Sequence, residues 1–224
     1  MGGTGNLSCH VYRPRHSRRH RHHRAIAAPR LTLSADNAVI LVEGTSDEVA
    51  VETLAARLGL DLAGSGIAIV AMGGATNIRG YLEVYGPGGR DVRVLGLCDV
   101  GEERHFQRGI EASGLGSYVD GAGVDRAAME AHGFFVCVAD LEDELIRALG
   151  ADAVVHVIET QGELGSFRTF QRQPAQRGRT IEQHLRRFMG THSGRKSRYA
   201  RALVDALDLA RLPYPLEGLL ARVS

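Results

Sequence analysis

Residues 38–47 read AVILVEGTSD. Five apolar residues run without alternation, and the chain then breaks at Glu43-Gly44. A short apolar run with no polar face is the pattern of a strand buried on both sides, as in a parallel sheet. Similar runs recur at 67–72, 92–98 and 134–139, each ending at Gly, Asp or Glu. Helical patterns lie between them. Ser46 is placed to N-cap a helix with Val49, Leu54 and Leu58 at helical spacing, and Gly59 to stop it. Stretches 76–85 and 103–113 are shorter helix candidates. Strands alternating with helices predict an α/β fold, with an about four-stranded, mostly parallel sheet flanked by helices.

Past residue 139 the pattern is mainly helical. Stretches 141–149, 153–159, 181–189, 195–207 and 216–223 are expected helices, and 168–179, polar and holding Pro174 and Gly178, is an expected loop. The predicted organisation is a disordered basic tail over 1–33, an α/β domain over 36–150 and a helical C-terminal section over 151–224 packed on it.

The net charge of +1 conceals an asymmetry. Residues 1–30 hold seven Arg, five His and no acid, leaving 20 basic against 26 acidic residues, a formal −6, in the remainder. The tail is expected to be solvated, with a nucleic-acid- or metal-binding arm as the alternative. There is one lysine, Lys196, against 26 arginines. No run of apolar residues is long enough to span a membrane, and the N-terminus lacks a signal-peptide stretch. Cys9, Cys98 and Cys137 form neither a CxxC pair nor a disulfide framework, which points to a reducing cytoplasm.

The acids cluster where strands end: Glu43 and Asp47 after the first, Asp99, Glu102 and Glu103 after the third, Asp140, Glu142, Asp143 and Glu144 after the fourth. One acid after a strand is an ordinary first-turn charge at a helix N-terminus, and Glu48, Glu103 and Glu144 fit that description. Parallel strands, however, bring all three clusters to one edge, where α/β folds bind ligands. Gathered carboxylates resist ionising together. A hard divalent cation, Mg²⁺ or Mn²⁺, removes the repulsion and takes oxygen ligands. Two such ions can clamp the attacking and leaving oxygens of a phosphoryl displacement.

These residues resemble a known family. LVEGTSD (41–47) is similar to the opening signature of TOPRIM domains: a strand, a Glu-Gly, and an Asp four residues after the Glu. LGLCDVGE (95–102) stands where such domains carry an acidic DxD-type motif, and MGGATNI (72–78) resembles the small-residue turn and helix between. The similarity is greatest to the TOPRIM domain of OLD-type nucleases, which also carry a third acidic pair, matched by Asp140 and Glu142, and a downstream lysine, matched by Lys196. The resemblance implies a metal-dependent nuclease or nucleotidyl-transfer domain, associated with DNA repair or phage defence. It departs from the pattern at Gly101, where the second acid of the DxD motif belongs; Glu102 is the substitute.

The implied roles are as follows. Glu43 is a metal ligand or general acid/base; Asp47, Asp99, Glu102, Asp140 and Glu142 are metal ligands. Lys196 stabilises charge on phosphate, or is an ordinary surface lysine. Arg186, Arg187, Arg195 and Arg198 suit nucleic-acid phosphates, and equally a solvated helix face. GTHSGRKS (190–197) is no P-loop, since Arg195 replaces the Gly before the Lys and a helix pattern precedes it. Expected partners are DNA ahead of RNA, a separate ATPase, and a second copy in a homodimer, with no membrane. The alternatives are a silent module that binds metal, nucleotide or nucleic acid and recruits a partner, and an RNA-processing or nucleotidyl-transfer enzyme on the same site.

Overall fold

The computed structural model describes residues 37–115, 123–191 and 194–223; the tail expected over 1–33 lies outside them. Strand β1 (Ala38–Val42) is buried at every position. It pairs in parallel with β2 (Ile67–Ala71) on one side and β3 (Arg93–Asp99) on the other. β4 (Phe134–Cys137) extends the sheet beyond β3, giving the all-parallel order β2-β1-β3-β4. Parallel neighbours need crossovers. Helix α1 (Thr45–Arg57) links β1 to β2, α2 (Ile78–Tyr85) links β2 to β3, and α3 (Glu103–Ser113) and α4 (Arg126–Ala131) lie between β3 and β4.

Side chains alternate across the sheet, so each strand feeds two cores. Val39, Leu41, Val94, Cys98, Phe134 and Val136 pack with residues of α2, α3 and α4. Ile40, Val42, Leu95, Leu97, Phe135 and Cys137 pack with α1 and with α5 (Leu141–Leu149), α6 (Ala151–Thr160), α7 (Leu164–Gln171), α8 (Ile181–Met189), α9 (Arg195–Ala206) and α10 (Tyr214–Ala221). The C-terminal helices therefore share the core of the sheet rather than form one of their own. Each Val, Ile or Leu so buried contributes roughly 1.5–3 kcal/mol. Cys98 and Cys137 are free thiols in different cores.

Several local expectations need correction. Gly44, not Ser46, caps α1; Asp47 Oδ2 accepts from the Gly44 N–H at 3.0 Å, and Ser46 is buried in the first turn. The inward face of α1 is Ala50, Val51, Leu54 and Ala55, while Leu58 is 37% exposed. Small alanines let α1 lie close to β1 and α9, a preference that a count of large apolar residues misses. Gly59 does end the helix, with φ +74°. The loop expected over 168–179 is helical in its first part: α7 runs to Gln171, and a 3₁₀ turn spans Pro174–Gln176. Phe167 and Phe170 of α7 lie edge-on to Phe188 of α8, with centroids 5.2 and 5.6 Å away. Among the described residues no helix is long and apolar enough to cross a membrane.

Gly96, in the middle of β3, is required by packing. A β-carbon there would stand 2.6 Å from the ring of Phe134 and 3.3 Å from the Leu41 carbonyl oxygen. Phe134 is fully buried and cannot swing aside. Gly96→Val should lower stability by about 1–3 kcal/mol, read as a reduced urea midpoint with unchanged slope; an unaltered midpoint would contradict this packing.

Candidate active site

All strands run the same way, so the segments that follow β1, β2 and β3 open on one edge with the start of α5. A cleft of about 590 Å³ lies there, lined by Glu43, Asp47, Asp99, Glu142 and Lys196. Backbone of Gly44, Gly73, Gly74, Gly190 and Gly194 completes its walls. Gly73, Gly74 and Gly194 have positive φ and open space where a side chain would stand, which leaves room for a ligand to approach the main chain.

Glu43 directly follows β1, and its Oε1 accepts from the Asp99 N–H at 3.1 Å, tying the ends of β1 and β3 together. Burial raises the Glu43 pKa; the Asp99 N–H and Lys196 oppose this, while Glu102 and Asp140 add to it. Asp47, one turn into α1, is pushed up to about 6 by burial, against the Gly44 N–H and with repulsion from Glu142 and Glu43. Asp99 is pushed up to about 8 by burial and then by Glu43, Asp140, Asp47 and Glu142. The carboxylates from three separate parts of the chain thus feel one another's charge.

Two acids of the third cluster already have counter-ions. Asp140 is the N-cap of α5, with Oδ1 accepting from the Asp143 N–H at 2.8 Å. Its other oxygen is paired with the Arg186 guanidinium. Glu142 is buried, and Lys196 Nζ lies 2.9 Å from its Oε1. Burial lowers the Lys196 pKa, but pairing with Glu142 and the field of Asp47 and Asp140 outweigh it, and the ammonium is held above its ordinary value.

A second groove of about 410 Å³ adjoins the cleft, sharing Glu142 and Lys196 and adding Asp140, Arg179, Gln183, Arg186 and Arg187. The remaining sequence candidates are placed differently. Glu102 is half-exposed in the turn after β3, 3.6 Å from His105 Nε2, and does not line the cleft. Arg195 and Arg198 are both paired with Glu163. Glu144, expected as a first-turn charge, does lie in the first turn of α5 but is buried; it accepts from the Val138 N–H at 2.7 Å and pairs with Arg147, bracing the turn from β4 into α5. Segment 190–197 follows a helix, α8, and not a strand. Sequence reasoning missed Gly190, Gln183 and Glu163, none of which carried a signal; Arg179 belongs to the basic stretch 177–179, which extends the arginines expected to suit phosphates.

Among the described residues lining the cleft, Lys196 is the sole cation, facing four carboxylates. The donor set is all oxygen, the type that Mg²⁺ takes while keeping waters of its own. Among the described residues no three Asp, Glu, His or Cys side chains close on one point, so the carboxylates form an open cluster, compatible with a cation that fills its shell with water and substrate.

Residues 36–100 match the family model described as the Overcoming lysogenization defect protein-like TOPRIM domain. The chain is similar to the C-terminal region of the Xanthomonas campestris pv. campestris OLD protein, at 25% identity over 83% of this chain and 93% of that one, with a TM-score of 0.61. It shares the fold of the C-terminal region of the Burkholderia pseudomallei OLD protein, at 21% identity over 83% and 96% of the two chains, with a TM-score of 0.62. No curated protein matches it.

The raised carboxylates give a pH dependence. The folded state holds the Asp99 proton between the ordinary value of 3.8 and about 8, where the unfolded state has lost it. The stabilisation is therefore full below that ordinary value and is lost as pH rises through about 8. Asp47 adds a smaller effect in the same direction, ending at about 6. Metal-free protein should show a falling thermal midpoint across this window, Asp99→Asn a flatter profile, and saturating Mg²⁺ a recovery at the alkaline end. A parent profile flat from pH 4 to 8 would rule out the clustering of charge.

Proposed function

We propose, from the match of residues 36–100 to the OLD-like TOPRIM family model, that the chain hydrolyses phosphodiester bonds of nucleic acid in a Mg²⁺-dependent reaction, with DNA ahead of RNA as substrate. The observation that carries this reading is the meeting of Glu43, Asp47, Asp99, Glu142 and Lys196 in one cleft at the carboxyl edge of the sheet. Glu43, Asp47 and Asp99 would hold one cation and Asp140 and Glu142 a second; Mn²⁺ fits the same donors. Bound there, the ions supply charge neutralisation and Lewis acidity at the scissile phosphate.

The chain's own groups do the rest. Glu43, with its raised pKa and its place beside Asp99, is suited to take a proton from the attacking water. Lys196 stays protonated and directs its ammonium at a non-bridging phosphate oxygen, where negative charge develops. Arg187 and Arg179 line the adjoining groove and neutralise phosphates on one side of the cut. Arg186 joins them when it leaves Asp140.

A second reading has its own support. Gly101 replaces the second acid of the DxD pattern, and Asp140 and Glu142 are already paired with Arg186 and Lys196. These features favour a module that binds metal or nucleic acid and recruits a partner without turnover. An RNA-processing or nucleotidyl-transfer enzyme would use the same cleft.

The deciding assay is cleavage of supercoiled plasmid and of labelled RNA in Mg²⁺, Mn²⁺ or EDTA. We expect plasmid cutting in either metal, none in EDTA, and a loss of about a hundredfold or more in Asp99→Ala that remains folded. Cutting of RNA alone would move the assignment to RNA processing. Metal or nucleic-acid binding by folded protein without cutting would move it to the silent module. Separately, Arg187→Gln should raise KM more than it lowers kcat and reduce the slope of log affinity against log salt by about 1; an unchanged slope would remove Arg187 from the binding surface.

A further inference from the structure

Lys196 occupies an electrostatically awkward place. It lies in the first turn of α9, where the helix dipole presents partial positive charge, and Arg195 stands beside it. The N-cap is Gly194, which has no side chain to satisfy the first N–H groups. Neither local feature favours a helix that begins here with two cations.

The compensation comes from Glu163, the residue before α7. Its Oε1 accepts from Arg195 Nη2 at 3.0 Å. Its Oε2 accepts from the Tyr199 hydroxyl at 2.7 Å and faces Arg198 Nη2 at 2.7 Å. Residues 195, 198 and 199 are spaced i, i+3 and i+4, so one carboxylate fastens a single face of the opening turns of α9. Arg195 extends the clamp to the end of α8. It donates to the Phe188 carbonyl at 3.3 Å and to Thr191 Oγ1 at 2.6 Å, and its guanidinium lies 4.4 Å above the Phe188 ring. Tyr199 is buried against the same ring. Burial works against ionisation of Glu163, but the hydrogen bonds from Tyr199, Arg198 and Arg195 outweigh it and hold the carboxyl below its ordinary range.

We propose that Glu163 is a positioning residue: standing outside the cleft just ahead of α7, it fixes the start of α9 and thereby sets Lys196 against Glu142 at the phosphate-facing wall. The inference rests on the reading of Lys196 as the cation that meets phosphate. Glu163 touches neither the cleft nor the adjoining groove; it acts wholly through the backbone of α9.

The single lysine makes the test direct. Full-length protein labelled at lysine Cε yields one lysine signal, which reports the placement of Lys196 without any need for activity. In the parent this signal should be displaced and broadened relative to a mobile surface lysine. In Glu163→Gln at the same pH, with native circular dichroism, it should move to the mobile position and sharpen. Tyr199→Phe keeps the ring packing and removes one of three contacts, so it should shift the signal part of the way, and it carries the test if Glu163→Gln does not fold. A parent-like signal in the folded variant would overturn the proposal. Where the parent cleaves nucleic acid, Glu163→Gln should lower kcat by roughly ten- to hundredfold with KM little changed, and a KM effect alone would also overturn it. A parent that does not cleave defeats the nuclease reading, while the lysine signal still decides the role of Glu163.

Discussion

Strand β1 has no residue facing solvent, and a strand buried on both faces is stable only when both of its edges are hydrogen-bonded and both faces are covered. β2 and β3 provide the edges in parallel register, and helices on either side provide the cover. The parallel direction then has a chemical consequence. The ends of β1 and β3 lie side by side, so Glu43 and Asp99 are brought into contact across 56 residues of chain. Stability of the sheet and convergence of the carboxylates are the same constraint seen at two levels.

Convergence is costly in the absence of a cation. Burial and mutual repulsion push the pKa values of Asp99, Asp47 and Glu43 above the ordinary carboxylate range, and the fold offsets the charge of the third cluster with its own bases, Arg186 on Asp140 and Lys196 on Glu142. The two halves of the cluster differ for that reason. No guanidinium or ammonium is ion-paired with Glu43, Asp47 or Asp99 among the described residues, whereas Asp140 and Glu142 have internal partners that a cation or a phosphate would have to displace. Under the proposed function, exchange of that kind would couple metal binding to the arrival of nucleic acid, because it would release Arg186 and Lys196 toward phosphate.

Support for the cleft comes from far outside it. α7, α8 and α9 form an aromatic cluster around Phe188, and the Glu163 clamp is built on it. A resting place for one lysine thus depends on helices that contribute no carboxylate to the site. The C-terminal helices share the β1 core through Ile40 and Val42, so displacement of α9 would be felt in the sheet as well as at Lys196.

The four strands, eight of the ten α-helices among the described residues and the three acid clusters were legible along the chain, because an apolar run bounded by Gly or acid carries its conformation locally. Strand 38–42 was read with its observed bounds, and the Glu43-Gly44 break with its site residue. The capping of α1 by Gly44, the burial of Ala50 and Ala55, and the helical state of 168–171 were not legible. The first is a contact within one turn, Asp47 reaching back to the Gly44 N–H, at a glycine that has no capping side chain to mark it; the other two depend on a neighbour from another part of the fold, β1 and α9 against α1, and Phe188 against Phe167 and Phe170. The pairings that shape the cleft lie deeper still, with Arg186 and Asp140 separated by 46 residues and Arg195 and Glu163 by 32. Side-chain charge is visible in a sequence, but the partner that neutralises it is chosen by packing, and packing was decided only when the sheet and the helical layer closed on each other.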